Sequence, residues 1–227
     1  MATQTIVIKL REQKSNLPKK TASIIFFLVF FYVIPLAFKP EFLITWQIFF
    51  LAGICTILFA TQPRLSIGES KRKCSTDKYT VWLILGVSGI GQIVSLIEWA
   101  YFPKHYSNNW LIAGAVFLIV GTAFRLYSIH TLGKYFSSTV QIKSEHKIIS
   151  AGPYKHLRHP SYTGAYIAML GCAVFLHSII GILIFGIGML FVYHLRIKTE
   201  EQTLIENFKE EYLNYRKHTY KMFPLVW

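Results

Sequence analysis

Four long apolar runs, at 22–38, 42–60, 79–102 and 110–131, restrict this chain to one kind of fold. An α-helix needs ~20 residues to cross ~30 Å of hydrocarbon, and only internally hydrogen-bonded segments are stable there. The chain has 227 residues, 53% hydrophobic and 15% charged. That apolar excess is too large for a soluble domain of this length. The expected fold class is therefore all-α, a polytopic membrane helical bundle with four clear spans. Lys39-Pro40-Glu41 leaves almost no loop between the first two runs, which predicts a tight hairpin. Two shorter runs, 162–176 and 179–195, parted by His177-Ser178, predict a C-terminal helical hairpin. Its arms are short for a full crossing, so a complete span and a partial dip both stay open.

The net charge of +13 does not indicate nucleic acid, because the basic residues sit between apolar runs rather than on one soluble face. They report topology instead. Lys9, Arg11, Lys14, Lys19 and Lys20 precede the first run, and Arg64, Lys71, Arg72, Lys73 and Lys78 separate the second from the third. Lys134, Lys143, Lys147, Lys155 and Arg158 follow the fourth, and more begin at Arg196, whereas the opposite side offers Lys39 and Lys104. The positive-inside rule then puts the N-terminus, the polar segment at 146–164 and the C-terminal tail in the cytosol. The first run lacks a small-residue cleavage site after it and is expected to be retained. Cys55, Cys74 and Cys172 form no CxxC pair, so neither a disulfide framework nor a zinc site is indicated.

Two ionisable residues fall inside the runs, Glu98 and Arg125. The topology places them near opposite membrane faces, which makes them unlike partners. Glu98 is expected to be a helix-packing or interfacial carboxylate, and Arg125 lies at the end that faces the polar segment. From Arg196 to Lys217 the chain is charged but keeps a helical pattern, with Leu204, Ile205, Phe208, Tyr212 and Tyr215 on one stripe. This predicts a cytosolic amphipathic helix. Arg196 and Glu200, four residues apart, share a face where the chain leaves the bilayer.

Between the apolar runs lies HKIISAGPYKHLRHPSYTG, residues 146–164, with His146, Tyr154, His156, Arg158, His159 and Tyr162. Gly152-Pro153 and Pro160 prevent one smooth helix. Taken singly, each residue has an ordinary structural role: solvated histidines, a turn, a helix start at Pro160, interfacial tyrosines. Together they exceed what structure alone requires. The chain has no P-loop, no HExxH and no serine elbow, which removes the usual machinery of hydrolysis and phosphoryl transfer. A carboxylate beside basic groups suits a zwitterionic cofactor.

Gln141, His146, Gly152-Pro153-Tyr154, Arg158-His159-Pro160-Ser161-Tyr162, Gly164, Arg196, Glu200-Glu201 and the tail from Phe208 through Glu211, Tyr212 and Tyr215 to Pro224 resemble the isoprenylcysteine carboxyl methyltransferase family. The likeness covers roughly 131–224. It implies S-adenosylmethionine as donor, held by Gln141, His146, Lys147, Ile148, Ile149, Tyr154, His159, Pro160, Ser161, Tyr162 and Glu200. It puts Arg196 at the substrate carboxylate as the catalytic residue, with no metal. Residues 1–130 become the lipid substrate tunnel and 131–227 the cofactor-binding and catalytic region. The partners implied are membrane lipids and an isoprenylated cysteine or similar lipidic acid, with no nucleic acid. The membrane implied is a bacterial inner membrane, or the endoplasmic reticulum in a eukaryote. The RHPxY core is shared with membrane sterol reductases and phospholipid methyltransferases. An NADPH-dependent sterol or isoprenoid reductase and a phospholipid amine N-methyltransferase are therefore the alternatives, with a non-catalytic scaffold or transporter behind them.

Overall fold

The computed structural model describes residues 21–61, 75–102, 107–136 and 148–224, and these are helical with short irregular joints. They divide into two compact units, one ending at Ala60 and one beginning at Thr61. In the first, α1 (Thr21–Val33) ends in a π turn over Val29–Val33, where the Ile34 amide donates to the Val29 carbonyl two residues before Pro35. A 3₁₀ turn over Pro40–Ile44 then leads into α2 (Trp46–Ala60). Stacking of Phe27 on Phe59, ring centroids 4.7 Å apart, closes the expected hairpin. Both helices fall in the 10–17-residue class, below the usual spanning length.

The second unit holds α3 (Ser75–Tyr101), α4 (Asn108–Leu132), α5 (Pro160–Phe175) and α6 (Ile179–Lys217). Among the described residues, three helical stretches, within α3, α4 and α6, are long and apolar enough to cross a membrane. Side chains such as Trp82, Ile90, Phe117, Val120, Leu183 and Phe191 are exposed on them, the inverse of a soluble surface. The chain position near 130 falls inside this unit, because α4 packs along α5. α6 runs unbroken from the expected second hairpin arm into the charged helix. No breaker stands near Leu195-Arg196, and the charged residues beyond are good helix formers. Its regularity is interrupted by a π turn at Ile184–Gly188 and by Lys209, whose φ is 46°.

Glycines set the α4–α5 distance. A Cβ on Gly121 would lie 2.4 Å from the Ala168 nitrogen, and one on Gly164 would lie 2.5 Å from the Arg125 nitrogen. Small residues let apolar helices approach backbone to backbone, which replaces the hydrophobic drive that lipid cannot supply. Polar contacts tie in the other helices. Glu98 of α3 accepts from the Ser178 hydroxyl at 2.7 Å and the Ile180 amide at 3.1 Å, satisfying the start of α6. Cys172 of α5 donates to Gln92 of α3 at 3.1 Å. Ala165, Tyr166, Phe185, Met189, Tyr193, Ile197 and Met222 form the core beneath the polar segment. Met222 belongs to the tail, which turns back after His218 and pairs with the chain ahead of α5. The Tyr220 amide donates to the His156 carbonyl at 2.9 Å, and the Arg158 and His159 amides donate to the Tyr220 and Lys221 carbonyls at 2.8 and 3.0 Å.

The packing makes a direct prediction. Gly121→Ala should destabilise the protein by about 1–3 kcal/mol, the usual cost of overpacking. Gly86→Ala, where a Cβ meets nothing within 4 Å, should be neutral or slightly stabilising through helix propensity. Thermal unfolding in detergent distinguishes the two.

Candidate active site

The polar segment folds as a short approach to α5. Half-buried Ile148 and Ile149 lead to a 3₁₀ turn at Gly152–Lys155. Gly152 opens that turn with φ 55°, and a Cβ there would press on the Tyr127 hydroxyl at 2.9 Å. Pro153 and Tyr154 are buried in the turn, and the Tyr154 carbonyl accepts the Tyr215 hydroxyl of α6 at 2.7 Å. His159 caps α5 and Pro160 takes its first position, where a missing N–H costs nothing. Four of the residues singled out in the sequence meet here: His159, Tyr162, Arg196 and Glu200. Ser161 contributes through its carbonyl, and Pro160 is buried beside it. Gln141, His146 and Lys147 lie outside the described residues.

Charges alternate through the cluster. Arg196 Nε donates to Glu200 Oε1 at 2.9 Å and to the Tyr162 hydroxyl at 3.3 Å, and its Nη1 donates to Thr80 Oγ1 at 3.1 Å. The Tyr162 hydroxyl donates to Glu200 Oε1 at 2.5 Å. His159 sits between two carboxylates, with Nδ1 3.5 Å from Glu200 Oε2 and Nε2 3.4 Å from Glu201 Oε1. Arg158 Nε reaches the same Glu201 oxygen at 2.7 Å. The rings stack in series, His159 on Tyr162 at 5.8 Å and Tyr162 on Tyr193 at 4.9 Å. Adjacent helix positions point about 100° apart, so Glu200 and Glu201 can flank one ring only because the ring enters between them.

One further cation borders the cluster. Arg125 of α4 is 2% exposed and donates through Nη1 to the Ser161 carbonyl at 3.1 Å. Its Nε is buried without a partner, and among the described residues no carboxylate pairs with it. Its place inside an apolar run made it a candidate; its proximity to the site depends on the α4–α5 contact. Arg158, Glu201 and Thr80 received no role from the sequence. The signal for the first two was present in the adjacent basic pair and the paired acids. Thr80 had none.

Electrostatics follow the geometry. Burial alone would lower the His159 pKa, but its contacts with Glu200 and Glu201 outweigh burial and raise it above 6.5. Burial would raise Glu200 and Glu201, but Arg196 and His159 hold the first at about 2, and His159 and Arg158 hold the second at about 2. The carboxylates' stabilising contribution is present above 4.5 and lost as pH falls towards about 2. That of His159 is complete below 6.5 and lost as pH rises through its raised value. The stability gap between the chain and His159→Gln should therefore be widest from pH 4.5 to 6.5. A gap of about 2 kcal/mol is expected there, narrowing on either side in unfolding measured across pH.

Comparison with known proteins places this geometry. Residues 113–206 match the model of the isoprenylcysteine carboxyl methyltransferase (ICMT) family. The protein-S-isoprenylcysteine O-methyltransferase of Dictyostelium discoideum is 33% identical over 132 residues, 56% of this chain and 55% of that protein. Its counterpart in Schizosaccharomyces pombe is 33% identical over 147 residues, 63% and 62% of the two chains. The rat protein of the same name is 30% identical over 133 residues, 57% and 47%. The chain thus spans about half the length of the curated relatives it matches. A solved structure of the eukaryotic intramembrane Ras methyltransferase of this name superposes with a TM-score of 0.59 at 21% identity, covering 96% of this chain and 86% of that one. The fold is shared. The stretch similar to the isoprenylcysteine carboxyl methyltransferase family, residues 113–206, includes most of α4, all of α5, His159, Arg196 and Glu200, and most of α6.

Proposed function

We propose that this chain is an integral membrane methyltransferase that moves a methyl group from S-adenosylmethionine to the carboxylate of an isoprenylated cysteine or a similar lipidic acid. The observation that carries this reading is the absence of a free base among the described site residues. Both His159 nitrogens face carboxylates, Glu200 is paired with Arg196, and the Tyr162 hydroxyl is committed as a donor. An amine acceptor must shed a proton before it attacks, and no group here is placed to take it. A carboxylate is already ionised at neutral pH and needs only to be placed.

The residues suit the donor. Glu200 Oε1 takes two donors, but its Oε2 has only the 3.5 Å contact with His159, and the side chain is 16% exposed. That oxygen keeps acceptor capacity for an ammonium group. Tyr154, His159 to Tyr162, and Ile148 and Ile149 would complete the pocket, together with Gln141, His146 and Lys147. When bound, the donor supplies an electrophilic methyl group on a sulfonium. The chain orients the acceptor and keeps water away.

Two buried guanidinium groups suit the acceptor's carboxylate, Arg196 and Arg125, which contact the successive residues Tyr162 and Ser161. A buried cation inside a membrane helix marks a functional site by default, and the unpaired Nε of Arg125 leaves it capacity for an anion. Arg196 is tied to Glu200, so Arg196→Ala would disturb donor and acceptor alike. We assign the lipid tail to the apolar surfaces of α3 and α4, with α3 reaching Arg196 through Thr80. The positive-inside charge pattern puts the site in the cytosolic leaflet, and the charged part of α6 lies along that surface.

Labelled donor tests the reading against a panel of acceptors. A farnesylated cysteine acid should be methylated, while its carboxamide and phosphatidylethanolamine should not. Labelling of phosphatidylethanolamine alone would move the chain to the amine methyltransferases. Arg125→Gln should raise the acceptor KM about tenfold or more, the cost of one charged hydrogen bond, and leave donor affinity within about twofold.

A further inference from the structure

The second acid of the Glu200-Glu201 pair has no part in the reading above, yet it is the better anchored. Its side chain is 6% exposed, against 16% for Glu200. Oε1 accepts Arg158 Nε at 2.7 Å and faces His159 Nε2, and Oε2 lies 3.8 Å from Arg216 Nε. Arg158 is fixed in turn. Its Nη1 donates to the Arg216 carbonyl at 3.2 Å and to the Thr219 carbonyl. Those carbonyls belong to the end of α6 and the returning tail, which Thr163 holds through the Met222 carbonyl at 2.8 Å. The tail thus fixes Arg158, Arg158 fixes Glu201, and Glu201 meets the histidine.

A neutral imidazole has one N–H and one lone pair. With an ionised carboxylate against each nitrogen, one of the two contacts would set acceptor against acceptor. Only the doubly protonated ring satisfies both. The charged and titratable groups around it are Glu200 and Glu201 from α6, the Tyr162 ring from α5, and neighbouring Arg158. Arg196 stands behind Glu200, and Arg216 behind Glu201.

We propose that Glu201, braced by Arg158 and the returning tail, is a positioning residue that keeps His159 an imidazolium and so removes this ring as a base that could act on an acceptor. The role in catalysis rests on the function proposed above; the effect on the ring does not.

Nitrogen and carbon NMR of the full chain with labelled histidine, in detergent micelles, reads the ring directly. His159 is assigned by the signal lost in His159→Gln. In the unmodified chain both ring nitrogens should be protonated at pH 7, and a neutral ring there overturns the proposal without any variant. Glu201→Gln removes the negative neighbour and should lower the His159 midpoint by about one pH unit or more, while Glu201→Asp should restore most of the shift. An unchanged midpoint in a folded Glu201→Gln protein also overturns it. In methyl transfer, the alkaline limb of the pH profile should move with the midpoint, whereas an equal loss at every pH means that Glu201 is only structural. If the unmodified chain transfers no methyl group, the proposed function fails, and the NMR result still decides what Glu201 does to His159.

Discussion

A chain of alternating charges, Arg158, Glu201, His159, Glu200 and Arg196, joins the start of α5 to the middle of α6, and the site depends on it. Buried ions are stable only when paired and hydrogen-bonded, since the desolvation penalty otherwise exceeds the gain. Here each carboxylate meets at least two donors and each cation at least one carboxylate. The pairing sets the position of α6 against α5 just past the last exposed apolar residue of α6, Phe191. Water-facing chemistry and lipid-facing helix are therefore parts of one continuous element.

The proposed reaction would ask little catalytic apparatus of the described residues. Methylation of a carboxylate needs an oxygen placed in line with a methyl group, and placement is a task for salt bridges and stacked rings. His159, which in many enzymes would be the base, is here held between two carboxylates and stacked on Tyr162. Arg125 adds a positive charge whose counter-ion is not among the described residues. An anionic acceptor would supply it.

Much of the site was legible in the sequence. Pro160 announced the start of α5, the Gly152-Pro153 pair announced a turn, and the four-residue spacing of Arg196 and Glu200 became a direct ion pair. The membrane class followed from run length alone. Other features depend on tertiary contacts that spacing does not encode. Arg125 reaches the site only because Gly121 and Gly164 let α4 and α5 touch, and Thr80 arrives from more than a hundred residues away. The continuity of α6 was hidden by a change of composition at Arg196, where polarity alters and helical geometry does not. The tail's return beneath α5 had no local signal, since Met222 is an ordinary apolar residue until it fills the core.

The ionic cluster is proposed to form the wall of a pocket for a sulfonium donor. Calorimetric titration of the purified chain with S-adenosylhomocysteine, and in parallel with NADPH, tests it most directly. Saturable binding of the first is expected, weakened about tenfold or more by Glu200→Gln as one charged contact is lost, with no binding of the second. Binding of NADPH without S-adenosylhomocysteine would contradict it.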